Sequence, residues 1–385
     1  MCERTWKCID DCRDFECYVE MQPITLDMYF SRVVIRPKRW LLLTTVFGVC
    51  YYSWSIRRHR LNPNNTTLSD TEVINVIPRY VSLCQARLRD NHRTGNHLFL
   101  LTGLLYAAQL TGRTVSLPAD GWPLDNVFQM DGIRRYDHNG PICPCHEFAH
   151  PPKISYHGDD NLDTSEGRAA LRQDSNRTLA LCGLYQTYRY ADAVAPTLRK
   201  LLRFQDRVLE TAREILDDGR PEDWAPGSYT RVGLHVRRGD FLDRHWVEYG
   251  LTVADRSFVN HAVDYFTSKF VRVQLIVASD DPQWIGEVLR EKLAPSSIRS
   301  TSRFISMTSN SMAVTLSRGQ TAGVDLALLA SCDAMIVSTG SFGWWAAWLV
   351  NRTTVYYDRW SRVGSLFSRE FDHRRYFPSR WIPLR

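Results

Sequence analysis

Two adjacent arginines stand at the centre of the run His235-Val236-Arg237-Arg238-Gly239-Asp240-Phe241. A guanidinium is a fixed fork of donors that matches the oxygens of a phosphate. The run directly follows Tyr229-Thr230-Arg231-Val232-Gly233-Leu234-His235-Val236 (YTRVGLHV), an apolar stretch suited to a buried strand. At a strand end successive side chains point to opposite sides. One arginine can therefore face a ligand while the other pairs with Asp240 or another carboxylate. The competing reading is a surface salt-bridge cluster. A second group is Ser338-Thr339-Gly340-Ser341-Phe342-Gly343-Trp344-Trp345. Here an apolar run ends in small residues and a helical pattern begins, and backbone N–H groups at such a helix start bind anions without a metal. Gly340 and Gly343 permit close approach. Ser341 fits as N-cap or as a direct donor to phosphate, while Trp344, Trp345 and Trp348 suit a core. A third group, Arg93-Thr94-Gly95-Asn96-His97, reads as a glycine turn feeding an apolar helix. If it faces the other two across a cleft, it closes over a nucleotide sugar.

Several familiar chemistries are missing. The sequence holds no Asp-x-Asp, so the usual carboxylate pair for a metal-bound nucleotide sugar is absent, and neither a Walker A loop nor a G-x-S-x-G elbow occurs. Asp280 or Asp281 ends an apolar run and suits the cap of the next helix. Asp325 opens a helix, where its charge complements the dipole. His138, Cys143, Cys145, His146 and His150 crowd together, but a disulfide or plain loop explains them as well as zinc does.

The elements that must position these residues alternate. From Tyr229 onward we expect strands at 229–236, 273–278, 304–307, 334–338 and 353–357. Helices are expected at 255–270, 282–293, 321–331 and 342–349. Near-continuous apolar strands alternating with helices predict a parallel sheet covered on both faces, with the ligand beyond the strands' C-terminal ends. Upstream, a strand at 77–83, a buried helix at 98–110, a strand at 114–117 and a long helix at 195–216 are expected. Residues 118–180, rich in Pro, His, Asp and Gly, read as loops with a few short elements.

The chain has 385 residues, 44% hydrophobic and 23% charged, with a net charge of +6. That is ordinary for a globular protein, and the modest positive charge suits a small anion better than a nucleic acid. Residues 40–56 (WLLLTTVFGVCYYSWSI) carry no charge, with Arg36, Lys38 and Arg39 before them and Arg57, Arg58 and Arg60 after. As a helix they would span about 25 Å, enough for a thin bilayer. We therefore expect a tail at 1–39, a transmembrane signal-anchor at 40–56, and a stem at 57–75. An N-terminal unit follows at 76–225 and a C-terminal, nucleotide-binding unit at 226–385. N-glycosylation sequons at Asn64, Asn65, Asn176 and Asn351 all follow the anchor, which favours a single-pass type II protein with a lumenal body. Of the ten cysteines, Cys84, Cys143, Cys145, Cys182 and Cys332 lie on that side, enough for two disulfides and a free thiol.

Together these segments resemble the galactoside α-1,2-fucosyltransferases. His235 to Phe241 (HVRRGDF), Ala278 to Trp284 (ASDDPQW) and Asp325 to Leu349 (DLALLASCDAMIVSTGSFGWWAAWL) occur in that family's order. Arg93 to Ala108 and Tyr376 to Leu384 resemble its two ends. The HVRRGD core alone is shared with α-1,6- and O-fucosyltransferases. The resemblance implies an α/β, GT-B type fold of two Rossmann-like doubly wound units with a cleft between them, preceded by the transmembrane helix. It implies metal-independent, inverting transfer of L-fucose from GDP-β-L-fucose to a galactose-terminated glycan of a glycoprotein or glycolipid, with no cofactor, in the Golgi membrane. By analogy Arg237 would bind the diphosphate, with His235 and Asp240 shaping the pocket. Asp325 would read the guanine edge, and Ser341, Gly340 and Phe342 would hold phosphate. Gly95, Asn96 and His97 would form the facing loop. An inverting displacement usually wants a base on the acceptor hydroxyl; Asp240, Asp243, His245 and Glu248 are the candidates. Transfer to another linkage, or a non-catalytic GDP-sugar- or glycan-binding membrane protein, are the alternatives.

Overall fold

A computed structural model describes residues 80–83, 93–119, 121–136, 162–172, 179–181 and 183–385, all within one compact unit, Val76–Arg385. The expected tail, signal-anchor and stem lie outside the described residues. So do Asn64, Asn65, Asn176, the His138–His150 cluster and every cysteine but Cys332. Among the described residues no helix is long and apolar enough to cross a membrane.

The first half carries β1 (Tyr80–Leu83), α1 (Thr94–Thr111), β2 (Thr114–Pro118), β3 (Arg134–Tyr136), α2 (Ser165–Arg172) and β4 (Leu179–Leu181). Its sheet is parallel, in the order β3-β2-β1-β4. α1 is apolar nearly all round and buried along most of its length, and it stops at Gly112, whose φ of 64° supplies the left-handed cap. Three helices follow: α3 (Tyr188–Ala193), α4 (Ala195–Leu201) and α5 (Asp206–Asp218). The single helix expected over 195–216 is thus broken. Phe204 leaves the helical path to bridge Phe128, and Gln205 donates to the Phe128 carbonyl at 2.9 Å.

The second half holds β5 (Thr230–Val236), α6 (Arg244–Tyr249), α7 (Arg256–Thr267), β6 (Val273–Ser279), α8 (Pro282–Leu293), β7 (Ser297–Ser300), β8 (Phe304–Thr308) and β9 (Met312–Ser317). It continues through α9 (Ala322–Ala330), β10 (Ala334–Val337), α10 (Ser341–Val350), β11 (Thr354–Tyr357), α11 (Leu366–Glu370), α12 (His373–Tyr376) and β12 (Ile382–Leu384). The eight strands run in the order β12-β11-β10-β5-β6-β9-β8-β7. Six are parallel, among them the expected β5, β6, β10 and β11, but β8, expected in the parallel set, pairs antiparallel with β9, and β7 antiparallel with β8. β7, β9 and β12 were not foreseen. The link from β8 to β9 is too short for a crossover, so those strands can only form a hairpin.

Sequence order reverses at β5, which lies between β10 and β6. A ligand site is expected at such a switch point, outside the strand ends. The register brings it together. Val337 is level with His235, His235 with Ala278, and Val236 with Ser279. The loops carrying Ser338, Arg237 and Asp280 therefore leave the sheet side by side. Trp344, Trp345 and Trp348 of α10 are fully buried, and Phe99 of α1 packs on the first two at 4.7 and 5.0 Å between ring centroids. That seam ties the helix of the first sheet to the helix of the second.

Candidate active site

Arg237 is the first residue past β5 and its side chain is only 13% exposed. Its backbone N–H donates to Ser338 Oγ at 2.8 Å, which fixes it to the end of β10. The guanidinium is gripped by two carboxylates, donating to Asp240 and to Asp280. It also lies 4.9 Å over the ring of Phe241. Arg238 turns the other way. It donates to Asp281 at 3.2 Å and to the Ala254 carbonyl at 3.2 Å, and its guanidinium stacks 3.9 Å over Trp284. Both arginines therefore hold carboxylates, and Arg237 is the one at the switch point. Asp281 caps α8 by accepting from the Trp284 N–H at 3.2 Å. Asp280 instead accepts from the Arg238 N–H at 2.8 Å and from Arg237. Reading Asp280 as an interchangeable helix cap missed this; the parallel pairing of β5 with β6 is the signal that would have found it.

The segment 94–97, expected as a turn, is the first turn of α1. The correction has a tertiary cause: this turn is pressed against the start of α10. A Cβ on Gly95 would sit 2.6 Å from both the Phe342 nitrogen and Ser341 Oγ, so only glycine allows the approach. Ser341 is not the N-cap of α10. Gly340 holds that position with φ 93°, and the Ser341 hydroxyl donates to Asn96 Oδ1 at 2.7 Å. Gln186 donates to the same oxygen at 3.0 Å. Neither helix has a side-chain cap at its N-terminus. Two uncapped helix starts thus meet, each equivalent to roughly half a positive charge. Arg93, at the N-cap position of α1, adds a guanidinium that donates to Asp240 Oδ2 at 3.0 Å. Asp240 is therefore shared between Arg93 and Arg237, a link the sequence reading did not contain.

The other expected site residues are placed as follows. His97 is buried against Trp122, edge-on at 4.9 Å. Phe342 lies 5.1 Å from the His235 ring. Asp325 accepts from the Ser317 hydroxyl at the end of β9, and burial pushes its carboxyl above the usual range. Asp243, His245 and Glu248 lie exposed on or beside α6. Glu248 is paired with Arg244 at 2.6 Å, whereas Asp243 makes no capping bond.

His235 is almost fully buried, and a Cβ on Gly343 would lie 2.5 Å from its Nδ1. Burial lowers its pKa from 6.5 to about 4, with Asp280 pulling weakly the other way. The ring is neutral at pH 7. Between pH 6.5 and about 4 the unfolded chain takes up a proton that the folded chain refuses, so stability falls as pH falls through that window. The loss should reach roughly 3 kcal/mol. Denaturant melts across that range should show His235→Gln with a flatter pH dependence than the wild type; equal slopes would contradict it.

This arrangement can bind a diphosphate: a guanidinium held in place by Asp240 and Asp280, a second one nearby, and two helix starts. The model of the family described as Glycosyl transferase family 11 matches residues 151–384. The human galactoside alpha-(1,2)-fucosyltransferase 1 is 27% identical over 297 residues, 76% of this chain and 73% of that protein. The rat protein of the same name is 28% identical over 210 residues, 54% of this chain and 51% of its own length. A crystal structure of POFUT1 in complex with GDP-fucose superposes with a TM-score of 0.46 at 13% identity, covering 73% of this chain and 98% of that one.

Proposed function

The chain belongs to glycosyl transferase family 11, and from that premise we propose that it moves L-fucose from GDP-β-L-fucose to a galactose hydroxyl of a glycan, forming an α-1,2 linkage. The names of the human and rat relatives support the reaction and the linkage. The observation that carries it is the position of Arg237, held at the switch point where the α1 and α10 starts meet.

In this reading the four-stranded parallel sheet and the eight-stranded, mostly parallel sheet are the halves of a GT-B type fold. The Arg237 fork takes the diphosphate oxygens, and the N–H groups at the starts of α10 and α1 stabilise charge on departing GDP. Asp280 holds Arg237 in place before the donor arrives. Fucose C1 is attacked by the acceptor oxygen from the opposite face, with inversion. Asp240 is committed to Arg93 and Arg237, and Glu248 to Arg244. That leaves Asp243 or His245 to take the acceptor proton. Cations and helix starts supply the positive charge, so the transfer needs no metal. Residues 40–56 anchor the protein as single-pass type II in the Golgi membrane, with the body lumenal. The exposed sequon at Asn351, in the left-handed cap of α10, is compatible with that side.

The test is transfer by the full-length, detergent-solubilised protein from labelled GDP-fucose to a panel of galactosides, with and without EDTA. We expect product with terminal galactosides and equal rates in EDTA. No product with any acceptor would overturn the reaction, and abolition by EDTA would overturn its metal-free chemistry.

A further inference from the structure

We propose that the aromatic strip Phe241–Trp246–Tyr249 is the acceptor subsite, and that the galactose ring stacks on Trp246. This rests on the fucosyl-transfer reading above and adds where, and by which side chains, the acceptor is recognised.

The strip begins at the diphosphate arginine. Phe241 lies under the Arg237 guanidinium at 4.9 Å, Trp246 lies 5.9 Å from Phe241, and Tyr249 lies 6.2 Å from Trp246. The rings therefore form a chain of contacts that starts at the diphosphate arginine and continues through Trp246, next to where an acceptor must sit. Along the same stretch Leu242 and Val247 leave 48% and 42% of their surface in water. Apolar surface gathered beside a polar site commonly marks a ligand surface.

The strip is also fixed. The segment after β11 braces it. The Arg362 N–H donates to the Gly250 carbonyl at 2.7 Å, the Thr252 N–H donates to the Trp360 carbonyl at 2.9 Å, and Leu251 bridges Ser361. Tyr249 packs on Phe367 at 5.5 Å. A rigid aromatic face loses little entropy on binding.

A β-galactoside suits these groups. One face of its ring presents only C–H groups, which an aromatic face accepts, and its rim presents hydroxyls, which need acceptors. Asp243, exposed and without a capping bond, stands three positions before Trp246 and can accept from such a hydroxyl.

The experiment uses the full-length protein, phenyl β-D-galactopyranoside as acceptor and GDP as probe of the donor side. Trp246→Ala should raise the acceptor KM about tenfold or more while the GDP Kd, read by calorimetry, moves by less than about twofold. Trp246→Phe should recover most of the loss, which a merely structural role would not distinguish by substrate. An unchanged acceptor KM, or a parallel rise in the GDP Kd, overturns the proposal. If Trp246→Ala does not fold, Trp246→Leu is judged by the same criteria. If the wild type transfers no fucose, saturation-transfer NMR of the galactoside on the GDP-loaded protein separates the two claims. Binding that Trp246→Ala abolishes keeps the subsite and sinks the transferase reading; absence of wild-type binding sinks the subsite.

Discussion

Arg237→Ala should lower kcat/KM for GDP-fucose by about two to three orders of magnitude, equivalent to roughly 3–4 kcal/mol of lost transition-state stabilisation. The expectation follows from what the side chain does at rest. It is mostly buried, pinned through its backbone to Ser338, and aimed by Asp240 and Asp280. It is therefore preorganised, and the protein does not have to reorder it when charge builds on the leaving diphosphate. Removing it also leaves Asp240 and Asp280 without their shared cation, so the pocket turns from anion-attracting to anion-repelling. Arg237→Lys is the discriminating companion. It keeps the charge but loses the fork that holds both carboxylates at once, and should fall between the two. Steady-state kinetics with varied donor give the answer. Near-normal turnover in Arg237→Ala would remove this residue from the phosphate role.

Gly95→Ala should destabilise the protein, although it adds only a methyl inside a helix. In a helix the exchange ordinarily stabilises by about 1 kcal/mol. Here the new methyl would meet the Phe342 nitrogen and Ser341 Oγ at 2.6 Å. The serine can rotate; the backbone nitrogen cannot. α1 must then move off α10, at a cost of about 1–3 kcal/mol for forced overpacking. Melting temperature should fall, and stabilisation by added GDP should weaken because the two helix starts no longer converge. Gly286→Ala in α8 is the control. Its Cβ would meet only Leu316, at an ordinary 3.5 Å, and should be neutral or stabilising. A Gly95→Ala protein that melts and responds to GDP like the wild type would show that the approach of α1 to α10 is not tight.

The legible parts of this chain were those where local pattern and tertiary need agree. β5, β6 and β10 are runs of apolar residues because both faces of their sheet are covered, and the helix Pro282–Leu293 carries its own cap and proline start. The first turn of α1 was not legible. Gly95 and Asn96 are poor helix formers, and they are helical only because Ser341 and Phe342 hold them. β9 hid because Thr315 and Ser317 break its apolar run, yet both are buried and hydrogen-bonded. Asp280 and Asp281 were indistinguishable in sequence. Which one caps α8 is decided by how the chain leaves β6, and only the neighbouring strand makes the other an arginine holder. His235, Arg237, Gly340, Ser341 and Phe342 do gather at one strand end. Glu248, by contrast, is tied to Arg244.

The packing of α1 against α10 also bears on how the protein is made. Asn96 finds its partner Ser341 across 245 positions, and Phe99 finds Trp344 and Trp345 across just as many or one more. A ribosome finishes α1 long before those partners exist. Contacts of such separation form late, so during synthesis the face of α1 around Phe99 waits without its cover. A chain ended before α10 would keep that surface exposed for good, which is the situation that draws chaperones or leads to aggregation. The face of α1 that meets α10 thus gets its cover only from the second half, quite apart from any shared ligand.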